Sequence, residues 1–306
     1  MSLHPINEDR FDSGLTRLPS WFRQEIPDAQ KIQSLKQMFR SAKLHTVCES
    51  AHCPNLGKCW GQGVATFMIL GEVCTRACRF CAVKAGLPQK LDANEPFEVA
   101  QAVKDLKLRY VVITSVARDD LQDEGAGHFA ETIHETRRLS PGIKIEVLIP
   151  DFSAKYESLK TLTDSVPEVV SHNIETVRRL SNSIRPQAQH DRSLQVLRMI
   201  RQLNKNIIVK SSFMVGLGET DEEIAQLMQE LAQTGCQILT IGQYLAPSQM
   251  KRHVPVRRFV TPEQFDRYRD QAMAMGFKYV MSAPLVRSSY IAEEGYNGCM
   301  QAMALR

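Results

Sequence analysis

The chain has 306 residues, 43% of them hydrophobic and 24% charged, which suits one large globular domain or two small ones. Its net charge of +4 comes with no basic helix and no interleaved basic and aromatic residues, which argues against nucleic acid as a partner. The apolar runs are too short to span a membrane, and residues 1–30 hold no apolar leader. Six of the eight cysteines fall between Cys48 and Cys81, which points to metal ligation in a reducing compartment, so a cytoplasmic location without membrane contact is expected.

Residues 1–20 are polar and read as a surface arm. The spacing of Ile32, Leu35, Met38 and Phe39 predicts a packing helix over 29–42. Next come Cys48, Cys53 and Cys59, spaced C-x4-C-x5-C in a stretch that Pro54, Asn55 and Gly57 keep looped. His52, inside this stretch, reads as a bystander rather than a ligand. Apolar β-branched runs then follow at 66–70, 109–114, 143–149, 167–171, 206–214, 237–241 and 278–281. Helical patterns separate most of them, at 97–107, 127–139, 191–204, 220–234 and 261–275. Near-continuous apolar strands alternating with amphipathic helices predict a parallel sheet. The fold class is therefore α/β, a partial (β/α)6 TIM-like barrel over 64–275. An N-terminal extension over 1–63 and a C-terminal extension over 276–306 flank it.

The first strand runs into Cys74, Cys78 and Cys81, spaced C-x3-C-x2-C. A [4Fe-4S] cube has four iron corners, and thiolate is a soft ligand that suits them. Three thiols leave one corner for a small molecule. A zinc knuckle would want four nitrogen or sulfur ligands, and an electron carrier would want a fourth cysteine on each cube. Neither is offered nearby, since the next cysteine is Cys236. Two triplets suggest two cubes. Barrel chemistry gathers at the carboxyl ends of strands, and polar residues sit at each of those ends, among them Ser115, Asn173 and Glu175. Lys210 is read as either a cofactor contact or a snorkelling strand residue. His172 and Asn173 either meet a cofactor or cap a helix over 174–180. Val215–Glu219 lacks G-x-G-x-x-G and reads as a tight turn. Cys236 and Cys299 are read as non-ligands.

The first-strand motif, with Phe80 ahead of its last cysteine, resembles that of the radical S-adenosylmethionine enzymes. Cys48 to Cys59 before it, and Arg287-Ser288-Ser289-Tyr290 near the end, make the chain similar to the lipoyl synthases. His172-Asn173-Ile174-Glu175-Thr176-Val177, Val215-Gly216-Leu217-Gly218-Glu219 and Thr240-Ile241-Gly242-Gln243-Tyr244-Leu245 add to the likeness, which runs from about Trp21 to Tyr290. The resemblance implies insertion of two sulfur atoms, at C6 and C8 of an octanoyl chain held on a lysine of a carrier protein. It implies that Cys74, Cys78 and Cys81 hold a cluster that cleaves S-adenosyl-L-methionine to a 5′-deoxyadenosyl radical. It implies that Cys48, Cys53 and Cys59, with Ser289 as fourth ligand, hold an auxiliary [4Fe-4S] cluster that donates the sulfur.

Phe80, Ser115, Asn173, Glu175 and Lys210 are the expected cofactor contacts, and Arg287 is expected to orient Ser289 or steady a cluster sulfide. The partners implied are octanoylated lipoyl domains of 2-oxoacid dehydrogenase E2 subunits, the glycine cleavage H protein, an electron donor such as ferredoxin or flavodoxin, and an iron-sulfur cluster carrier. The rival reading is another radical enzyme with an auxiliary cluster, which inserts sulfur elsewhere or modifies a peptide. The chain departs from the family pattern at Lys58, Ala117, Glu124 and Ser212-Phe213, and its tail from Ile291 has no counterpart in that pattern. Lys251-Arg252-His253 with Arg257-Arg258 forms a basic run that reads as a solvated loop or as a dock for an acidic carrier.

Overall fold

The computed structural model describes residues 18–23, 32–33, 36–37, 39–40, 44–51, 53–61 and 66–305. Of the expected helix over 29–42, the described residues at 32–33, 36–37 and 39–40 are helical; the rest of that span, and His52, lie outside the described residues.

Ten short strands occur among the described residues: β1 (His45–Thr46), β2 (Thr66–Ile69), β3 (Val73–Cys74), β4 (Lys84–Ala85), β5 (Tyr110–Ser115), β6 (Lys144–Leu148), β7 (Val169–Ser171), β8 (Ile208–Val215), β9 (Ile238–Gln243) and β10 (Tyr279–Ser282). Eight of them form one sheet in the order β1-β2-β5-β6-β7-β8-β9-β10. All pairs are parallel except β1 against β2. β1 and β10 end the order and do not pair with each other, so the barrel is partial. The seven parallel strands are the seven apolar runs of the sequence.

The connecting helices are α1 (Val47–Ser50), α2 (Leu56–Gly61), α3 (Glu95–Asp105), α4 (Ala126–Leu139), α5 (Tyr156–Asp164), α6 (Arg178–Ile184), α7 (His190–Leu203), α8 (Asp221–Ala232), α9 (Pro262–Ala274) and α10 (Ala292–Ala304). Strand residues such as Phe67, Ile113, Val147, Val209 and Ile241 are buried together with helix residues such as Phe129, Leu159, Leu197 and Phe265, in one core. That two-sided burial is why the strands lack polar alternation. Helix starts carry local signals. Thr220 and Glu223 form a reciprocal capping box on α8, and Thr261 caps α9, with Pro262 at its first position.

The amino end of the barrel is closed by polar residues and by the tail. Lys210 Nζ donates to Glu146 Oε1 at 2.7 Å, and Tyr110 Oη donates to Glu146 Oε2 at 2.6 Å. Helix α10 covers this end: the Tyr296 ring lies 5.9 Å from that of Tyr110, and Cys299 packs with Val169, Ile208 and Ile238. The carboxyl ends of the strands remain as the mouth.

Candidate active site

The Cys74–Cys81 loop hangs from the end of β2 and is fastened along its length. The parallel pair of β3 and β4 brackets it, and Gly86 N donates to Cys74 O at 2.9 Å. Thr75 Oγ1 donates to Asp119 Oδ2 at 2.5 Å and lies 3.0 Å from Ala117 O. Arg76, buried, donates through Nη2 to Asp119 Oδ1 at 2.6 Å and to Asp151 Oδ1 at 2.7 Å. Asp151 is fully buried and also accepts from Arg192 Nε at 2.8 Å. These cations hold its carboxyl at about 2 against the opposing effect of burial. Asp151 leads into three successive left-handed residues, Phe152, Ser153 and Ala154 (φ 42°, 47° and 55°). Such backbone is costly for residues with a Cβ and persists only where packing over-determines it. Here Phe152 is fully buried against Phe129, and Asp151 Oδ1 accepts from Ser153 N. Glu124, a departure from the family pattern, also takes a left-handed φ of 55° and pairs with Lys155 at 2.9 Å and Arg76 at 3.8 Å.

The second triplet, expected in a looped stretch, is instead carried on α1, α2 and the turn between them. Cys53 N donates to Cys48 O and Cys59 N to Asn55 O, which coils the stretch tightly. Two long-range bonds fasten it to the C-terminal motif: Asn55 Nδ2 donates to Leu285 O at 2.6 Å, and Lys58 Nζ donates to Tyr290 Oη at 2.9 Å. Lys58 also stands 5.6 Å from the centre of the Tyr290 ring. Gly242 on β9 permits the approach, because a Cβ there would lie 2.0 Å from Val286 O.

Both triplets and the C-terminal motif meet at one cavity of about 750 Å³ at the mouth of the barrel. Cys48, Cys53, Cys59, Cys74, Cys78 and Cys81 all line it, as do Arg287 and Ser289. All eight cysteines of the chain are free thiols. Burial, then neighbouring cysteines, push Cys59 and Cys78 up to about 12, and burial takes Cys81 to about 11. Burial likewise raises Cys53, although Arg287 opposes it. Bare thiolates are thus disfavoured here, and a cationic inorganic group would relieve them. Cys74 Sγ already accepts from Ala117 N at 3.3 Å and Arg76 N at 3.4 Å. Among the described residues no three His, Cys, Asp or Glu side chains converge on a single ion. The thiols stand around a wider space.

Phe80, Ser115, Asn173 and Glu175 line the same cavity. Three buried polar atoms on its walls have no protein partner: Ser115 Oγ, Asn173 Oδ1 and Arg185 Nη2. Burial raises the Glu175 carboxyl, with Asn173 Nδ2 donating to it at 3.0 Å and Arg185 nearby. Burial lowers the Arg185 guanidinium, whose Nε reaches Ser181 Oγ at 3.2 Å. Arg185 was not legible in the sequence; beside Arg178 and Arg179 it is marked only by Pro186 following it at the end of a short helix.

Two expectations are corrected. Lys210 does not line the cavity; its ammonium is held by Glu146 toward the opposite end of the barrel. The helix expected over 174–180 begins at Arg178, because Glu175 adopts φ 66° and bridges to Phe213 instead. Asn173 therefore caps nothing, and His172 is buried between Ile149 O (3.0 Å) and Ser193 Oγ (2.9 Å). The Val215–Glu219 stretch is a tight turn, with the Glu219 carboxylate accepting from Gly216 N at 2.6 Å and Leu217 N at 2.9 Å.

The model of the radical S-adenosylmethionine superfamily matches residues 68–231, and that of the N-terminal domain of lipoyl synthase matches residues 7–53. The lipoyl synthase of Rubrobacter xylanophilus is 51% identical over 290 residues, covering 95% of this chain and 89% of the relative. The chain belongs to the lipoyl synthase family. The lipoyl synthases of Caldicellulosiruptor saccharolyticus (49% over 279 residues, 91% of this chain and 97% of the relative) and Histophilus somni strain 2336 (50% over 294 residues, 95% and 91%) agree. Among solved structures, SuiB of Streptococcus suis bound to S-adenosylmethionine has a TM-score of 0.54 at 11% identity, over 84% of this chain and 62% of SuiB. That likeness shows a shared fold. As a family member, the chain is a radical S-adenosylmethionine enzyme that inserts sulfur, and its family uses an iron-sulfur cluster and S-adenosylmethionine. No described helix is long and apolar enough to cross a membrane.

Proposed function

We propose that this chain forms the lipoyl group on octanoylated carrier domains, using two iron-sulfur cubes in one cavity. Cys74, Cys78 and Cys81 would hold the one that meets S-adenosylmethionine. Cys48, Cys53 and Cys59, with Ser289, would hold the one that serves as sulfur source. The observation that carries this reading is that six free thiols and Ser289 line a single cavity. When bound, these groups supply a radical oxidant for unactivated C–H bonds, which no side-chain acid, base or nucleophile can open, and a sulfide to fill the carbon so activated.

The protein's own part is binding, orientation and exclusion of water. The unpartnered Ser115 Oγ, Asn173 Oδ1 and Arg185 Nη2 offer one hydroxyl, one acceptor and one cationic donor to a polar cofactor. Arg185 would take a carboxylate, and Asn173 with Glu175 an ammonium or ribose hydroxyls. Met68, Phe213, Met214 and Val286 line the cavity between polar groups and would receive an alkyl chain. Arg287, beside Cys53, holds its guanidinium onto Val286 O at 2.7 Å and lies two residues from Ser289, so it would keep that hydroxyl turned to the second triplet.

The test is anaerobic reconstitution with iron and sulfide, followed by reaction with an octanoyl-lysine peptide, dithionite and S-adenosylmethionine. Mass spectrometry is expected to show two added sulfur atoms together with 5′-deoxyadenosine. Cleavage of S-adenosylmethionine without sulfur in the peptide would favour a different radical enzyme.

A further inference from the structure

The basic run, which reads from sequence as a solvated loop or as a carrier dock, divides in the folded chain. Arg258 is spent on Asp221, at 2.9 Å. His253 is buried, with Ser248 Oγ donating to Nδ1 at 2.7 Å and Nε2 donating to Cys81 O at 3.1 Å. The neighbouring bonds run onto the same backbone: Val254 N donates to Arg79 O at 3.1 Å, Arg252 Nη2 to Ala82 O at 3.4 Å, and Arg79 Nε to Arg252 O at 3.3 Å. Phe80, Cys81 and Ala82 line the cavity, whereas none of residues 248–254 does. The segment therefore backs the outer side of the wall that carries the Cys81 thiol. Lys251 and Arg252 are exposed there, beside Met250, which is 58% exposed. Among the described residues, Arg79, Lys251 and Arg252 have no ion-pair partner.

We propose that the face made by Arg79, Lys251 and Arg252 docks an acidic, low-potential one-electron redox protein, which passes electrons through the Phe80–Ala82 wall. A carrier must thread its acylated lysine through an opening. This face lies behind Phe80, Cys81 and Ala82, outside the cavity lining, and offers nearness to Cys81 instead. The cations supply steering for a partner of opposite charge, and Met250 supplies apolar contact at close range. The inference rests on the reading of the first triplet given above. Each S-adenosylmethionine cleaved takes up one electron. The donor is oxidised by one electron and the sulfonium is reduced, its sulfur–C5′ bond breaking to leave methionine. The adenosyl carbon takes a hydrogen atom from substrate and departs as 5′-deoxyadenosine.

The experiment compares holoenzyme and its Lys251→Glu/Arg252→Glu variant, with flavodoxin as the acidic donor. The Kd for flavodoxin is expected to rise about tenfold or more at low ionic strength, with its salt dependence flattened. Flavodoxin-driven 5′-deoxyadenosine formation should fall in step, while the dithionite-driven rate and the KM for an octanoylated carrier domain stay unchanged. Lys251→Glu alone, whose side chain makes no bond to the cysteine loop, should show a smaller loss of the same pattern. An unchanged Kd overturns the proposal, as does an equal loss with dithionite. A rise in carrier KM instead would assign the face to the carrier and overturn it too. Failure of the wild-type protein to form 5′-deoxyadenosine with dithionite would count against the function proposed above, and flavodoxin binding would still judge the docking face.

Discussion

Arg76 sits inside the first cysteine motif and lines the cavity, yet its guanidinium is held by a nest of carboxylates. Its partners come from the ends of β5 and β6 and from the loop before α4, so one guanidinium fixes the Cys74–Cys78 loop to two neighbouring strands. Asp151 has no exposure and Asp119 is partly exposed, so the two pairs differ in worth. A buried pair broken on one side leaves a charge without compensation, at about 3–5 kcal/mol, whereas a partly exposed pair is worth about 1 kcal/mol or less. Arg76→Met is therefore expected to destabilise the chain by about 3 kcal/mol, somewhat less than the full penalty because Arg192 still faces Asp151. Asp119→Asn should cost about 1 kcal/mol. Anaerobic denaturant unfolding of the two variants and their double mutant checks both values. Equal losses would show that Asp151 does not dominate the clamp.

At the scale of elements, the second triplet and the C-terminal motif form one unit although Asn55 and Leu285 lie far apart in sequence. Gly242 is the point on which that unit turns. A Cβ there would meet Val286 backbone oxygen, which cannot swing aside as a side-chain tip could. Gly242→Ala is expected to push residues 285–289 off β9, at a cost of about 1–3 kcal/mol. It should also lower iron and sulfide in the reconstituted protein to the content of one cube. Full iron content in that variant would contradict the coupling. The barrel strands were legible because parallel strands buried on both faces leave continuous apolar runs. Helix α5 and the tail helix α10 were not, being short or rich in small residues whose packing partners are remote in sequence. Lys210 misled because a lysine on a strand looks the same whether its carboxylate partner lies at the mouth or at the floor. The identity of Glu146 as that partner is set by the register of β6, β7 and β8, which no local pattern reports.

Taken as a whole, the molecule separates its two ends. The floor is sealed by a satisfied Tyr110–Glu146–Lys210 cluster beneath α10, and the mouth keeps polar atoms without partners. His172 stands between the mouth and α7 and couples their stability to pH. Its Nδ1 donates to Ile149 O, and in the neutral ring that burial favours its Nε2 accepts from Ser193 Oγ. Burial pushes it down to about 4 from 6.5, although Asp151 pulls the other way. A group whose folded pKa is depressed adds stability that is fully present above its unfolded pKa. Below pH 6.5 the unfolded chain takes up a proton that the folded chain refuses, so stability is lost as pH falls toward 4. The shift corresponds to about 3 kcal/mol. His190, also lowered by burial but opposed by Glu230, adds a further contribution of the same sign. His172→Gln can keep both bonds, with its amide N–H toward Ile149 O and its carbonyl toward Ser193, and it does not titrate. Anaerobic unfolding midpoints between pH 7 and pH 4 should then fall steeply in the wild-type chain and much less in His172→Gln; parallel curves would show that the ring is protonated in the fold.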